Sequence, residues 1–298
     1  MTQGLRAQES TLFDLLSPGI EMAMPPYQRS YSWDVEEAQA LLTDLSEIVE
    51  SGDVHFIGAI VLVRENNGGY LIVDGQQRLT TLTILLSVLR DMETDPKWIA
   101  DIHNLIGDDA KLDTSRAPSW RITLNHIDGP FFREAIQAPG ATLTSEIEPN
   151  DGESQKRMVQ NAAYFAKEVR ALSPESRRKL AKAIQEQLML VKVVVEDWDG
   201  GYNVFRVLNT RGKAPNSHDI IKTDLLENAN LSAKDASEFS RQWSEHEARL
   251  GGSGFDDLLS QIRALHTRKN KKGATEFRKA VIGRQGNGAH LDRKQFEI

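Results

Sequence analysis

The sequence predicts an α+β fold: a small mixed sheet with a helical insertion and a helical C-terminal region. Two apolar runs rich in β-branched residues, Phe56 to Val63 and Leu188 to Val195, read as strands buried on both faces. Asn67-Gly68-Gly69 is a hairpin signal, with Tyr70 to Val73 as the returning strand. Helical spacing supplies the rest: Ala38, Leu41, Leu42, Leu45, Ile48 and Val49 in one stretch, and Leu79, Leu82, Leu85, Leu86 and Leu89 in another.

Taken in order, Leu5 to Leu16 reads as a short helix ended by Pro18-Gly19, and Ile20 to Met24 as a short strand. Pro25-Pro26 forces an extended segment, since proline fixes φ and pushes the preceding residue out of the helical region. Asp34 is a helix N-cap and Gly52 closes that helix. Asp74-Gly75 breaks the returning strand before the next helix. Between about residues 94 and 187, Gly129-Pro130 and Ala138 to Gly152 read as loops, and Gln155 to Leu172 and Glu175 to Gln187 as helices. An apolar strand cannot leave its backbone groups unpaired. Leu188 to Val195 is therefore expected to join the front sheet, which makes residues 94–187 a helical insertion within one fold. Its exit is expected at the same sheet edge as Val73, so that a short helix, Asn203 to Leu208, delivers Asn209 and Arg211 to the loop after Val73. The expected organisation is a first domain over 1–228 and a helical, basic region over 229–298.

Composition narrows the function classes. The chain has no cysteine, which excludes a disulfide framework, a cysteine zinc site and a cysteine nucleophile. No apolar run approaches the roughly 20 residues of a membrane helix, and Met1 to Ser10 lacks a basic-then-apolar leader; a cytoplasmic protein with no membrane association is expected. The net charge of -7 argues against a non-specific DNA coat. Residues 261–298 nevertheless carry ten Lys/Arg against three Asp/Glu, a tail of +7 on a remainder of -14. An acidic body with a basic end hints at a nucleic-acid or partner surface, and equally at a solvated helical face.

Three loops could carry chemistry. Asp74-Gly75-Gln76-Gln77-Arg78 joins a strand to a helix. A helix N-terminus presents unpaired N–H groups and the positive end of the dipole to an anion. Gly75 allows close backbone approach, Arg78 offers a fork suited to phosphate, Thr80 a hydroxyl, and Asp74 a ligand for Mg²⁺ or an orienter of water. The same string also suits a capped helix making surface hydrogen bonds, and no Walker loop is present. Pro25 to Trp33 combines Pro26, Tyr27, Gln28, Arg29, Tyr31 and Trp33, a mix that can stack on a base and grip a phosphate, or else plug the core with its aromatics. Phe205 to Lys213 places Asn209, Arg211 and Gly212 after a short helix, which is also what a helix C-cap needs. Lys222 lies in the first turns of the following helix.

Together these loops resemble the N-terminal domain of the GmrSD-type restriction family, a ParB/sulfiredoxin-like domain. The matching text is "MPPYQRSYSWD", "HFIGAIVLV", "YLIVDGQQRLTTLTILLSVLRD" and "FRVLNTRGKAPNSHDIIKTDLLEN", over about Leu12 to Met92 and Leu188 to Asn228. The resemblance implies a nucleoside triphosphate hydrolase that senses modified bases or phosphorothioate in DNA within an anti-phage system. It implies Asp74, Gln76, Gln77 and Arg78 as catalytic residues, with Mg²⁺ at Asp74. It implies Gln28, Arg29, Gly75, Thr80, Asn209, Arg211, Gly212 and Lys222 as nucleotide-binding residues. DNA sensing would fall to Pro26, Tyr27, Gln28 and Tyr31. Expected partners are DNA and a His-Asn-His nuclease domain or subunit, because the seven histidines here are scattered and form no such motif; self-association is allowed for. The alternatives are a clamp that binds nucleotide or DNA without turnover, and an interaction scaffold docking through the tail.

Overall fold

The computed structural model describes residues 6–25, 30–65, 68–108, 119–125, 128–148 and 151–196, with scattered positions between 201 and 264. The elements in chain order begin with β1 (Arg6–Thr11), α1 (Leu12–Leu15), β2 (Met22–Ala23), α2 (Val35–Ser51), β3 (His55–Arg64), β4 (Tyr70–Asp74) and α3 (Gln76–Asp91). There follow α4 (Pro96–His103), β5 (Gly107–Asp108), β6 (Ser119–Trp120), β7 (Ile122–Thr123), α5 (Gly129–Phe132), α6 (Glu153–Ala171), α7 (Pro174–Glu186) and β8 (Leu188–Val195). The α+β expectation holds.

Strand β8 lies deep in a six-stranded mixed sheet of order β1-β8-β3-β4-β2-β7, parallel to β3 and antiparallel to β1. The apolar strand therefore does pair with the front sheet. Its exit is not where the sequence put it. Val195 is level with Val63, and Val63 with Leu71, so β8 leaves the sheet beside the start of β4 rather than beside Val73. The reason is direction: β3 is parallel to β8 and antiparallel to β4. Gly201 packs so closely on Val63, Val73 and Val195 that a Cβ there would stand 3.0–3.3 Å from their methyl carbons.

Two further expectations are corrected. Arg6–Thr11 is an edge strand on β8, not the start of a helix. Thr11 closes a capping box with Asp14, its hydroxyl accepting from the Asp14 N–H at 3.0 Å, and this fixes the helix start at Leu12. Gly129-Pro130, read as a loop, opens α5, because proline in the first turn has no N–H to lose. Elsewhere Asp34 caps α2 with Glu37 in a capping box, and Gly52 ends it in the left-handed region at φ 74°.

One sheet face carries the main core, where α2, α3, α6 and α7 pack Leu45, Leu85, Leu86, Phe165 and Ile184 out of water. Helix α3 is buried nearly all round, and Thr80, Thr81 and Thr83 tolerate this by donating to the carbonyls of Gln76, Gln77 and Leu79. The other face buries Val61, Val63, Val73, Val193 and Val195, with Val204 against them. The chain divides into two compact units, 1–210 and 211–298; the expected boundary at 228 falls outside the described residues. Within the second unit Ile221, Trp243, Phe255 and Leu259 form a small buried cluster. Among the described residues no helix is long and apolar enough to cross a membrane.

Helix α7 is pinned near the end of α3 by Arg178, whose guanidinium donates twice to Glu93 at 2.9 Å. Those bonds hold the Glu93 carboxyl down at about 2. A depressed carboxyl contributes stability above its unfolded value, near 4.5, and loses it as pH falls toward 2. Glu93→Gln should therefore show its full deficit in urea unfolding above pH 4.5, and the gap to wild type should close by pH 2. A gap independent of pH would show that the ion pair is not its source.

Candidate functional site

The site is a corner between β4 and α3. Strand β4 delivers Asp74, Gly75 turns the chain at φ 96° and ψ 5°, and α3 starts at Gln76. A side chain at position 75 would be strained at that φ and would also run into Ile60 Cδ1. No side chain caps α3, and its first turn has no acidic residue. The corner therefore presents a positive helix end of the kind that accepts an anion.

Asp74 and Arg78 face each other across one helical turn, with Arg78 Nη2 3.6 Å from Asp74 Oδ2, both half-buried. Burial pushes the Asp74 carboxyl up, against the pull of Arg78 and the Gly75 N–H. Burial likewise lowers Arg78, with Asp74 opposing. Arg78 also donates to the carbonyls of Ile57 and Ala59, the latter at 3.1 Å, and so clamps the irregular stretch of β3. Gly58 sits under the guanidinium at φ 96°, where a Cβ would collide with Nη1. The sequence signal for this was a glycine inside an apolar strand, a common mark of a bulge.

The amides of the motif are committed. Gln76 is buried and donates to the Ile72 carbonyl at 3.0 Å. Gln77 Oε1 accepts from the N–H groups of Ser32 at 2.8 Å and Trp33 at 3.2 Å. Thr80 is buried and donates to the Gln76 carbonyl. Tyr31 is buried too, its hydroxyl 2.7 Å from both Thr81 Oγ1 and Asn161 Nδ2. The motif and the Ser30–Trp33 segment are thus brought together. Pro26, Tyr27, Gln28, Arg29, Asn209, Arg211 and Gly212 lie outside the described residues. Lys222 is half-buried within the second unit. Gly58, Ser32, Arg157 and Asn161 take part in the arrangement without having been singled out. The last two sit in the mid-chain helix α6, where no local pattern marks a polar residue that reaches a distant loop.

Residues 11–226 match the family model for the GmrSD restriction endonuclease, N-terminal domain. The chain belongs to this family. The match spans the β4–α3 corner, all three sequence loops and Lys222, and stops short of the basic tail. Membership gives this GmrSD N-terminal domain the context of a restriction system. No curated protein matches the chain.

Tyr31 offers a direct check on the packing of the corner. Burial pushes its phenol up to about 12. The neutral form is the folded one, so its stability is whole below pH 10 and is lost as pH rises from 10 to 12, about 2–3 kcal/mol in all. Tyr31→Phe should be less stable than wild type at pH 8 by about 1–2 kcal/mol, with the difference vanishing or reversing by pH 12. A constant difference would place the phenol outside the core.

Proposed function

We propose that this GmrSD N-terminal domain binds and hydrolyses a nucleoside triphosphate at the β4–α3 corner, and that hydrolysis is coupled to sensing of modified DNA for a partner nuclease. The observation that carries the reading is the uncapped α3 N-terminus behind Gly75, flanked by Asp74 and Arg78. Phosphate oxygens would take hydrogen bonds from the first-turn N–H groups, and the Arg78 guanidinium beside them would offset their charge. A carboxyl raised by burial is the better proton acceptor, which suits Asp74 to orient and deprotonate the attacking water. Proton transfer to Asp74, attack on the terminal phosphorus and release of the diphosphate balance the step.

Among the described residues no three His, Asp or Glu side chains converge as a metal cage. One carboxylate fits Mg²⁺ arriving with the triphosphate, since Mg²⁺ commonly takes one or two carboxylates together with substrate phosphates. Asp74 would hold it through a Mg²⁺-bound water, which leaves the carboxylate free to accept the proton, and the ion would supply charge neutralisation on the phosphates.

A second reading has its own support. The side chains of Gln76, Gln77 and Arg78 are all engaged with protein backbone, as in a clamp that binds nucleotide or DNA without turnover. Phosphate release by the purified chain, across ATP, GTP, CTP and UTP with modified and unmodified DNA, separates the two. Hydrolysis should appear with at least one nucleotide, and Asp74→Asn, which keeps the shape of the carboxyl, should lower kcat by at least about 100-fold. Its thermal midpoint should stay near wild type. Binding with no release by wild type would establish the clamp, and full activity in a folded Asp74→Asn would remove Asp74 from the chemistry.

A further inference from the structure

Helix α6 reaches the corner through two polar side chains that the proposed chemistry does not use. Asn161 is fully buried, and its Nδ2 donates to the Tyr31 hydroxyl at 2.7 Å and to the Trp33 carbonyl at 3.1 Å. Arg157 Nη1 donates to the Ser32 carbonyl. From the other side Gln77 Oε1 accepts from the Ser32 and Trp33 N–H groups.

The proton directions follow. Thr81 gives its hydroxyl proton to the Gln77 carbonyl at 2.8 Å, so at its contact with Tyr31 it must accept. Tyr31 donates to Thr81 and therefore accepts from Asn161, which can only donate through Nδ2. The chain of bonds runs Asn161 to Tyr31 to Thr81 to the first turn of α3, and it closes through Gln77, Ser32 and Trp33 back to Asn161. Every hydroxyl has one orientation. The segment Ser30–Trp33 is held by side chains from α3 on one side and α6 on the other.

We infer that Gln77, Asn161 and Arg157 are positioning residues: they fix the Ser30–Trp33 backbone against the first turns of α3, and nucleotide affinity at the β4–α3 corner depends on that clamp. The inference rests on the nucleotide reading above and changes the part played by Gln77, from a catalytic residue to an acceptor that holds a loop.

The test uses the full chain and two readouts. Amide hydrogen exchange at Ser32 and Trp33 reports the clamp without nucleotide, and binding of fluorescently labelled ATP and GTP with Mg²⁺ reports the site. Gln77→Met keeps the length and removes the acceptor; Gln77→Glu keeps an oxygen where both N–H groups point; Asn161→Leu removes the α6 side. Gln77→Met and Asn161→Leu should each speed exchange at Ser32 and Trp33 and weaken labelled nucleotide by about tenfold. Gln77→Glu should restore protection at Ser32 and Trp33, while its charge in the first turn of α3 opposes nucleotide. Unchanged exchange in Gln77→Met overturns the clamp. Faster exchange in Gln77→Met and Asn161→Leu with nucleotide binding unchanged overturns the positioning role, since affinity would then not depend on the clamp. A wild-type chain that binds neither nucleotide overturns the reading on which the inference rests, and the exchange results still decide the clamp. Circular dichroism keeps an unfolded Asn161→Leu from being counted, and Arg157→Met then stands in for the α6 side with the same expected result.

Discussion

The corner depends on a left-handed glycine. Gly75 turns β4 into α3 at a φ that other residues adopt only with strain, in a space where Ile60 leaves no room for a Cβ. Gln76 bonds back to the Ile72 carbonyl, and Asp74 and Arg78 meet one helical turn apart, only because strand and helix join this tightly. Arg78 extends the constraint to β3, where Gly58 gives up its side chain to admit the guanidinium. Two positions are thus held to glycine, Gly75 by its φ and by Ile60, and Gly58 by Arg78.

A polar motif in so buried a place serves two purposes. Every amide and hydroxyl in the first turns of α3 has to be satisfied, because an unmade hydrogen bond there costs about 1–3 kcal/mol. The structure satisfies them internally, with the threonines bonding back along α3 and Gln77 taking two loop N–H groups. What remains toward a ligand is the helix end itself, with Asp74 and Arg78 at its side. Recognition would thus rest on backbone N–H groups that a rigid frame holds still, and preorganised donors of this kind need no rearrangement when charge arrives.

Much of this was legible in the sequence, for identifiable reasons. The Asp34 cap, the buried runs of β3 and β8 and the strand–glycine–helix corner rest on local chemistry: a cap, a run of β-branched residues, a glycine after an aspartate. The pairing of β8 with the front sheet followed from the need to satisfy an apolar strand's backbone. What was missed depends on contacts distant in sequence. Arg6–Thr11 reads as helical only because Leu5, Leu12, Leu15 and Leu16 flank it, and it becomes a strand because β8 offers it an edge. The direction of β8, and hence its exit, is set by parallel pairing to β3, which no spacing encodes. Asn161 and Arg157 lie about 130 residues from the loop they hold, in a helix whose apolar face alone is visible in the sequence.

The central claim, that the α3 N-terminus takes phosphate, is tested most directly by amide shifts in an isotope-labelled chain titrated with a non-hydrolysable nucleoside triphosphate and Mg²⁺. The account predicts saturable shifts, the largest at the backbone N–H groups of Gln76, Gln77 and Arg78, displaced as hydrogen bonds to phosphate form. Saturable shifts confined to residues away from the β4–α3 corner, with those three amides unmoved, would contradict it.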